Sequence, residues 1–167
     1  NHIYLYNLKG KQVRQITKGN FDVTDFYGID ESNNTVYFAS SERSPMHRDV
    51  YAIQLNGKNK KTLTNKIGTN SATFSTNYKY FINQYSNANS PYYFSLFDAK
   101  GNEVRMLKDN TNLKKRLANY ALSQKEFFNF KTTEGTDLNG WMMKPHDFDE
   151  TQQYPVFMYL YGGPGSQ

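Results

Sequence analysis

Cysteine is absent from all 167 residues, which excludes a disulfide framework and a thiolate metal site and leaves the redox compartment unreadable. Long apolar runs are missing too. No stretch approaches the roughly 18 residues that a membrane-spanning helix needs. The opening Asn1-His2-Ile3-Tyr4 has neither an initiator Met nor a signal-peptide profile, so the chain reads as cut from something larger. Histidine is scarce: His2, His47 and His146 lie too far apart in sequence for a metal-ligand spacing, and each reads as a surface or turn residue. No metal and no cofactor is expected.

What the chain has is aromatic side chains, with 14 Tyr and 12 Phe against one Trp. Such residues suit a pleated, half-buried surface, so the composition leans to β-structure. The net charge of +5 comes from scattered lysines such as Lys9, Lys11, Lys58, Lys60 and Lys61, set beside glycines in expected turns. They read as solvated surface, and no nucleic acid is expected as a partner: the aromatics alternate within strands as core residues do and no recognition motif is present.

A repeat organises the first two thirds. The segments Tyr4–Lys11, Tyr51–Lys58 and Phe94–Asn102 each run from an aromatic or aliphatic strand into a Gly turn, and a second short strand follows each, over Val13–Thr17, Lys61–Thr64 and Glu103–Leu107. The turn glycines Gly10, Gly57 and Gly101 lie 47 and 44 residues apart, the length of a four-stranded propeller blade. Further strands are expected over Val23–Ile29, Thr35–Ser40, Ser71–Ser75 and Tyr78–Gln84, with turns at Asp30–Asn34 and Thr76-Asn77. A β-sandwich also gives short strands with regular turns, but the matched order of hairpins favours blades. Little more than two periods are present, so the chain cannot close a ring.

The pattern then changes. Asp109-Asn110-Thr111 offers helix caps, and Leu113, Leu117 and Tyr120 fall on one face of a short helix near 111–120 with Lys114, Lys115 and Arg116 opposite. Strands are expected over Phe127–Lys131, Leu138–Met143 and Pro155–Tyr161. The last is nearly all apolar, and such a strand needs cover on both faces, as in an α/β domain. It runs into Tyr161-Gly162-Gly163-Pro164-Gly165-Ser166-Gln167. The glycines suit a loop whose backbone approaches a ligand, and equally a tight turn. Arg43, Arg48 and Asp49 sit on an expected hairpin near Pro45, where loop charges face water.

The stretch from Phe127, through Thr133-Glu134-Gly135-Thr136-Asp137-Leu138-Asn139-Gly140-Trp141 and Tyr154-Pro155 to Tyr161-Gly162-Gly163-Pro164-Gly165-Ser166-Gln167, resembles the start of the catalytic domain in the prolyl oligopeptidase family of serine peptidases. Ile16-Thr17-Lys18-Gly19, Val23-Thr24-Asp25-Phe26, Arg48-Asp49-Val50-Tyr51-Ala52-Ile53-Gln54-Leu55 and Leu107-Lys108-Asp109-Asn110 are similar to the dipeptidyl peptidase IV branch. The resemblance implies a mainly β chain: a partial β-propeller over residues 1–124, then the first strands of an α/β-hydrolase domain over 125–167. It implies a serine exopeptidase that removes dipeptides with Pro or Ala in second place from peptides with a free N-terminus. An extracytoplasmic, bacterial setting and a homodimer go with it. Tyr161 is the one catalytic position implied here, as donor to the oxyanion. Ser166 is not the nucleophile, because Pro164 stands where a Gly-x-Ser-x-Gly elbow requires Gly. Nucleophile, Asp and His are expected beyond Gln167, and this segment alone is expected to be inactive. The alternative is a non-catalytic propeller-type binding or scaffold module.

Overall fold

The structure is a computed structural model that describes residues 1–160, and it is mainly β, in several antiparallel sheets. The expected oxyanion donor Tyr161 and the loop from Gly162 to Gln167 lie outside the described residues. The chain divides into two compact units, Asn1–Asn110 and a second that begins at Thr111.

In the first unit β1 (Tyr4–Tyr6) pairs with β2 (Gln12–Gln15); β3 (Val23–Asp30), β4 (Thr35–Ser40), β5 (Asp49–Gln54) and β6 (Lys61–Thr62) form one antiparallel meander, and β7 (Thr69–Phe74), β8 (Tyr80–Asn87), β9 (Ser90–Asp98) and β10 (Glu103–Lys108) a second. The three Gly turns are one structure made three times. Asn7, Gln54 and Asp98 each accept the N–H of the glycine three residues on and donate to the carbonyl four residues on, at 2.7–3.1 Å. The glycines take φ of +75°, +78° and +83°, the left-handed residue that lets a type I turn close a three-residue hairpin loop. The side chains of Asn7 and Asp98 also cap the turn, accepting the N–H of Lys11 and Asn102 at 3.0 and 2.9 Å.

Pleating divides the β3–β6 sheet into two apolar faces. Tyr37, Val50 and Ala52 point to one side with Leu63 and meet Phe81 and Phe97 of the β7–β10 sheet. Val36, Phe38, Tyr51 and Ile53 point to the other and meet Ile16, with Ile3 and Leu5 beside them. β4 and β5 are therefore buried almost end to end, the pattern of a strand covered on both sides. The first contact rests on an aromatic chain: Tyr37 stacks on Tyr78 with ring centres 5.4 Å apart, Phe74 lies 4.9 Å from Phe81, and Phe81 lies 5.2 Å from Phe97.

Most strand ends differ from the sequence expectation by one to three residues, and the starts of β7 and β8 have a clear cause. β8 begins at Tyr80 rather than Tyr78, because Tyr78 takes φ +53° in the turn that Ser75 closes by accepting its N–H at 2.9 Å. β7 begins at Thr69 rather than Ser71, because the Arg48 carbonyl accepts the Asn70 N–H at 2.9 Å and extends the strand against the preceding sheet.

In the second unit α1 (Thr111–Leu117) carries Lys114, Lys115 and Arg116 in its last turn and buries no residue; cations there suit the helix dipole. β11 (Lys125–Lys131) and β12 (Asp137–Met143) pair in register from Lys125 opposite Met143 to Lys131 opposite Asp137. Their turn repeats the same design, with Gly135 at φ +84° donating to Thr132. Of the strand expected over Pro155–Tyr161, the described part, residues 155–160, is not formed. Residues 153–160 have no regular secondary structure, and Val156 and Phe157 are 86% and 92% exposed. An apolar strand needs hydrogen-bonded neighbours and cover, and no described strand pairs with this segment.

One contact between the two meanders is steric. Gly28 has φ +131°, and a Cβ there would lie 2.0 Å from the Tyr78 hydroxyl. Tyr78 can yield only by leaving its stack on Tyr37. Gly28→Ala should therefore lower stability by about 1–3 kcal/mol, read by chemical denaturation. Tyr78→Phe in the same chain should recover part of the loss; fully additive losses would show that the hydroxyl is not the obstacle.

Candidate functional site

The polar residues that the first unit brings together lie at the seam between the two four-stranded sheets. Asp49 opens β5, and its side chain is 1% exposed. The sequence reading placed Arg43, Arg48 and Asp49 together on a water-facing hairpin. The structure corrects this: the hairpin folds back, so Asp49 is buried while the Arg43 guanidinium reaches over it, Nε to Oδ2 at 2.7 Å. Arg48 turns the other way and clasps its own loop, donating to the carbonyls of Pro45 at 2.9 Å and His47 at 2.7 Å.

Three residues that sequence reasoning did not single out complete the cluster. The Thr64 hydroxyl donates to Asp49 Oδ1 at 3.3 Å and accepts the Val50 N–H at 3.0 Å. Asn70 Nδ2 faces the carbonyls of Arg48 and Lys66, both at 3.0 Å, and Asp49 Oδ1 at 3.3 Å. Asn70 Oδ1 accepts from Asn83 Nδ2 at 3.1 Å. The available signal was alternation: Asn70 precedes Ala72 and Phe74 on the inward face of β7, and Asn83 follows Phe81 on that of β8. An amide placed among core positions is retained where it has partners. Beside it the backbone joins the sheets directly, Arg48 N–H to the Gly68 carbonyl at 3.0 Å.

Electrostatics identify the role. Burial raises the Asp49 carboxyl above its ordinary value and outweighs the opposing pull of Arg43. Oδ2 is ion-paired with Arg43 and Oδ1 faces Thr64 and Asn70, and at 1% exposure the carboxylate is out of reach of a substrate, so the cluster is a tie between sheets and not a general base. A second tie lies along the same seam: the Ala72 N–H donates to the Tyr27 hydroxyl at 3.2 Å, and burial pushes that phenol up to about 12.

The remaining candidates are dispersed. His2 has Nδ1 3.1 Å from the Thr17 hydroxyl and Nε2 3.1 Å from the Gly19 carbonyl. It stands 47 residues before Asp49, as Thr17 does before Thr64, so the repeat places a polar side chain against a threonine hydroxyl in both copies. His47 is partly buried, and His146 is exposed in the second unit. Among the described residues no group of three or more His, Asp or Glu could hold a metal ion.

Comparison with known proteins agrees with this architecture. The profile of the dipeptidyl peptidase IV (DPP IV) N-terminal region matches residues 1–92. The crystal structure of Porphyromonas gingivalis dipeptidyl peptidase 4 superposes with a TM-score of 0.85 at 48% identity, over 92% of this chain and 22% of that one. Dipeptidyl peptidase 4 of Arthroderma otae and of Trichophyton rubrum are each 32% identical over 99% of the chain. The chain spans about 22% of the length of these curated relatives.

The Asp49 tie predicts a pH signature. A carboxyl whose folded pKa is raised contributes stability that is fully present below its unfolded value, near 3.8, and is lost as pH rises through the folded value. Asp49→Asn keeps an acceptor at Oδ1 and removes the ionisation. Its stability relative to the parent should therefore improve between about pH 3 and about pH 7 in denaturant titrations; parallel curves would contradict a raised Asp49.

Proposed function

This chain belongs to the dipeptidyl peptidase IV family through the N-terminal region of that family, and from that premise we propose that it is part of a serine exopeptidase. The whole protein releases dipeptides from free peptide N-termini, with Pro or Ala in second place. In this reading the β3–β6 and β7–β10 sheets are consecutive blades of a propeller, and β1 and β2 are the outer strands of the blade before them. The short helix leads to β11 and β12, which begin the α/β-hydrolase domain, and the segment from Pro155 becomes a strand once that domain's sheet is beside it. The enzyme works outside the cytoplasm, as a homodimer.

The observation that carries the blade reading is the repeated junction. The Gly57 turn sits against Ile16, its Cβ position 3.4 Å from the Ile16 carbonyl, and the Gly101 turn sits against Leu63, 2.9 Å from that carbonyl. Ile16 and Leu63 are 47 residues apart, and each follows the last strand of its own sheet, so both four-stranded sheets rest their Gly turn on the sheet before them. Such nearest-neighbour stacking with a fixed step is how a propeller is built.

Within this reading Tyr161 supplies the chemistry. When the serine oxygen adds to the scissile carbonyl, the carbonyl oxygen takes the negative charge. A phenol with an ordinary pKa near about 10 keeps its proton at neutral pH and donates it in a hydrogen bond to that oxygen. The donor is worth most in a site from which water is excluded.

Tyr161→Phe in the full-length protein should lower kcat on an X-Pro chromogenic dipeptide by roughly 100–1,000-fold with KM little changed. Full kcat in the variant would remove Tyr161 from the mechanism. Failure of the parent to release any dipeptide, together with a gene that lacks a Gly-x-Ser-x-Gly elbow after residue 167, would leave a binding or scaffold protein instead.

A further inference from the structure

The ties between sheets leave three polar atoms near Asp49 unanswered. Ser40 Oγ, His47 Nδ1 and Asp49 Oδ2 are buried without a hydrogen-bond partner, Oδ2 having only its ion pair with Arg43. Buried polar atoms are nearly always satisfied, and several orphans in one place mark the position of a bound molecule.

The three belong to one corner of the β3–β6 sheet. Ser40 ends β4 and Asp49 opens β5, and they stand directly opposite each other, which puts their Cβ atoms about 4.5–5.5 Å apart on one side of the sheet. Both residues are 1% exposed. Arg48 is extended between His47 and Asp49 and bridges to Thr69, so His47 projects to the same side as Asp49, near enough for its charge to act on that carboxyl. The His47 N–H donates to the Ser44 carbonyl at 3.0 Å, which holds the turn. Arg43 closes over the group, with Nε 2.7 Å from Asp49 Oδ2 and Nη1 3.2 Å from the Asn65 carbonyl.

We infer that a single water molecule is bound here and joins Ser40, His47 and Asp49. Its hydrogen bonds close the set: the water donates to Asp49 Oδ2 and to His47 Nδ1, with the ring proton on Nε2, and accepts the Ser40 hydroxyl. Three partners is the usual number for a buried water. Charge excludes the other small occupants. A cation would lie against the Arg43 guanidinium and an anion against the Asp49 carboxylate, at separations where like charges repel strongly in a buried place. Nor does a third His, Asp or Glu among the described residues join His47 and Asp49 to hold a metal ion. The water lengthens the tie: Asp49 reaches β7 and β8 through Asn70 and Asn83, and through the water it reaches the end of β4 and the turn before β5. This inference does not depend on peptidase activity.

The test is a crystal structure of the full-length protein at a resolution that orders single waters, with a second crystal soaked in rubidium bromide. One density peak should lie within about 2.6–3.2 Å of Ser40 Oγ, His47 Nδ1 and Asp49 Oδ2, and it should give no anomalous signal after the soak. An anomalous peak would replace the water with an ion, and direct contact among the three side chains, or no peak between them, would remove the site. In solution, Ser40→Ala and His47→Phe should each lower the melting temperature, and the double variant should lose less than the sum, since both single changes act on the same water. Fully additive losses would show that Ser40 and His47 share nothing.

Discussion

The β3–β6 sheet cannot stand alone, and much else in the first unit follows from that. Its two central strands bury apolar side chains on both faces, with Val36, Phe38 and Val50 fully covered. At about 1.5–3 kcal/mol for each large side chain withdrawn from water, exposing either face would cost an amount comparable to a small domain's whole margin. The sheet is stable only as the middle layer of a stack. Turn geometry then has a second duty beyond reversing the chain: the turns at Gly57 and Gly101 lie on the neighbouring sheet's backbone, and a Cβ at Gly101 would press on Leu63.

A stack held only by apolar contact could slide, because aromatic faces tolerate several offsets. The Asp49 cluster removes that freedom. Asp49 Oδ1, the Thr64 hydroxyl, the Asn70 amide and Asn83 Nδ2 are partnered with one another in a single register of the two sheets, and a slip of one residue would leave them buried without partners, at about 1–3 kcal/mol for each. Burial of Asp49 lowers net stability at neutral pH, as its raised pKa indicates. What is obtained in return is alignment, the use of buried polar groups that Tyr27 repeats along the same seam.

Legibility from sequence divided along the same physical line. The Gly turns, the hairpin order and the helix were readable because each is written locally, in a glycine at a fixed spacing or a row of leucines and lysines. Thr35–Ser40 was placed to the residue since turn formers flank it. The Asp49 cluster was not readable, because charges next to a proline look like any exposed loop until Arg43 and Asn70 arrive from opposite directions in sequence. The Tyr78 boundary failed for a related reason: an aromatic at φ +53° is chosen by its stack on Tyr37, against its own backbone preference.

The apolar segment from Pro155 carries the argument one step further. Its composition asks for a strand, yet composition supplies neither the hydrogen-bonding edge nor the cover that a strand consumes. β11 and β12 face the same demand more mildly: Phe127, Trp141 and Met143 are each more than half exposed, and a two-stranded hairpin is marginal in water. Local pattern in the second unit therefore specifies what each element would bury without providing the surface to bury it against. In the first unit those surfaces are neighbouring repeats, and pattern and structure agree there; in the second no described element supplies them, and on the proposed reading a hydrolase sheet, rather than any further turn chemistry, would give residues 155–160 the edge and cover that a strand consumes.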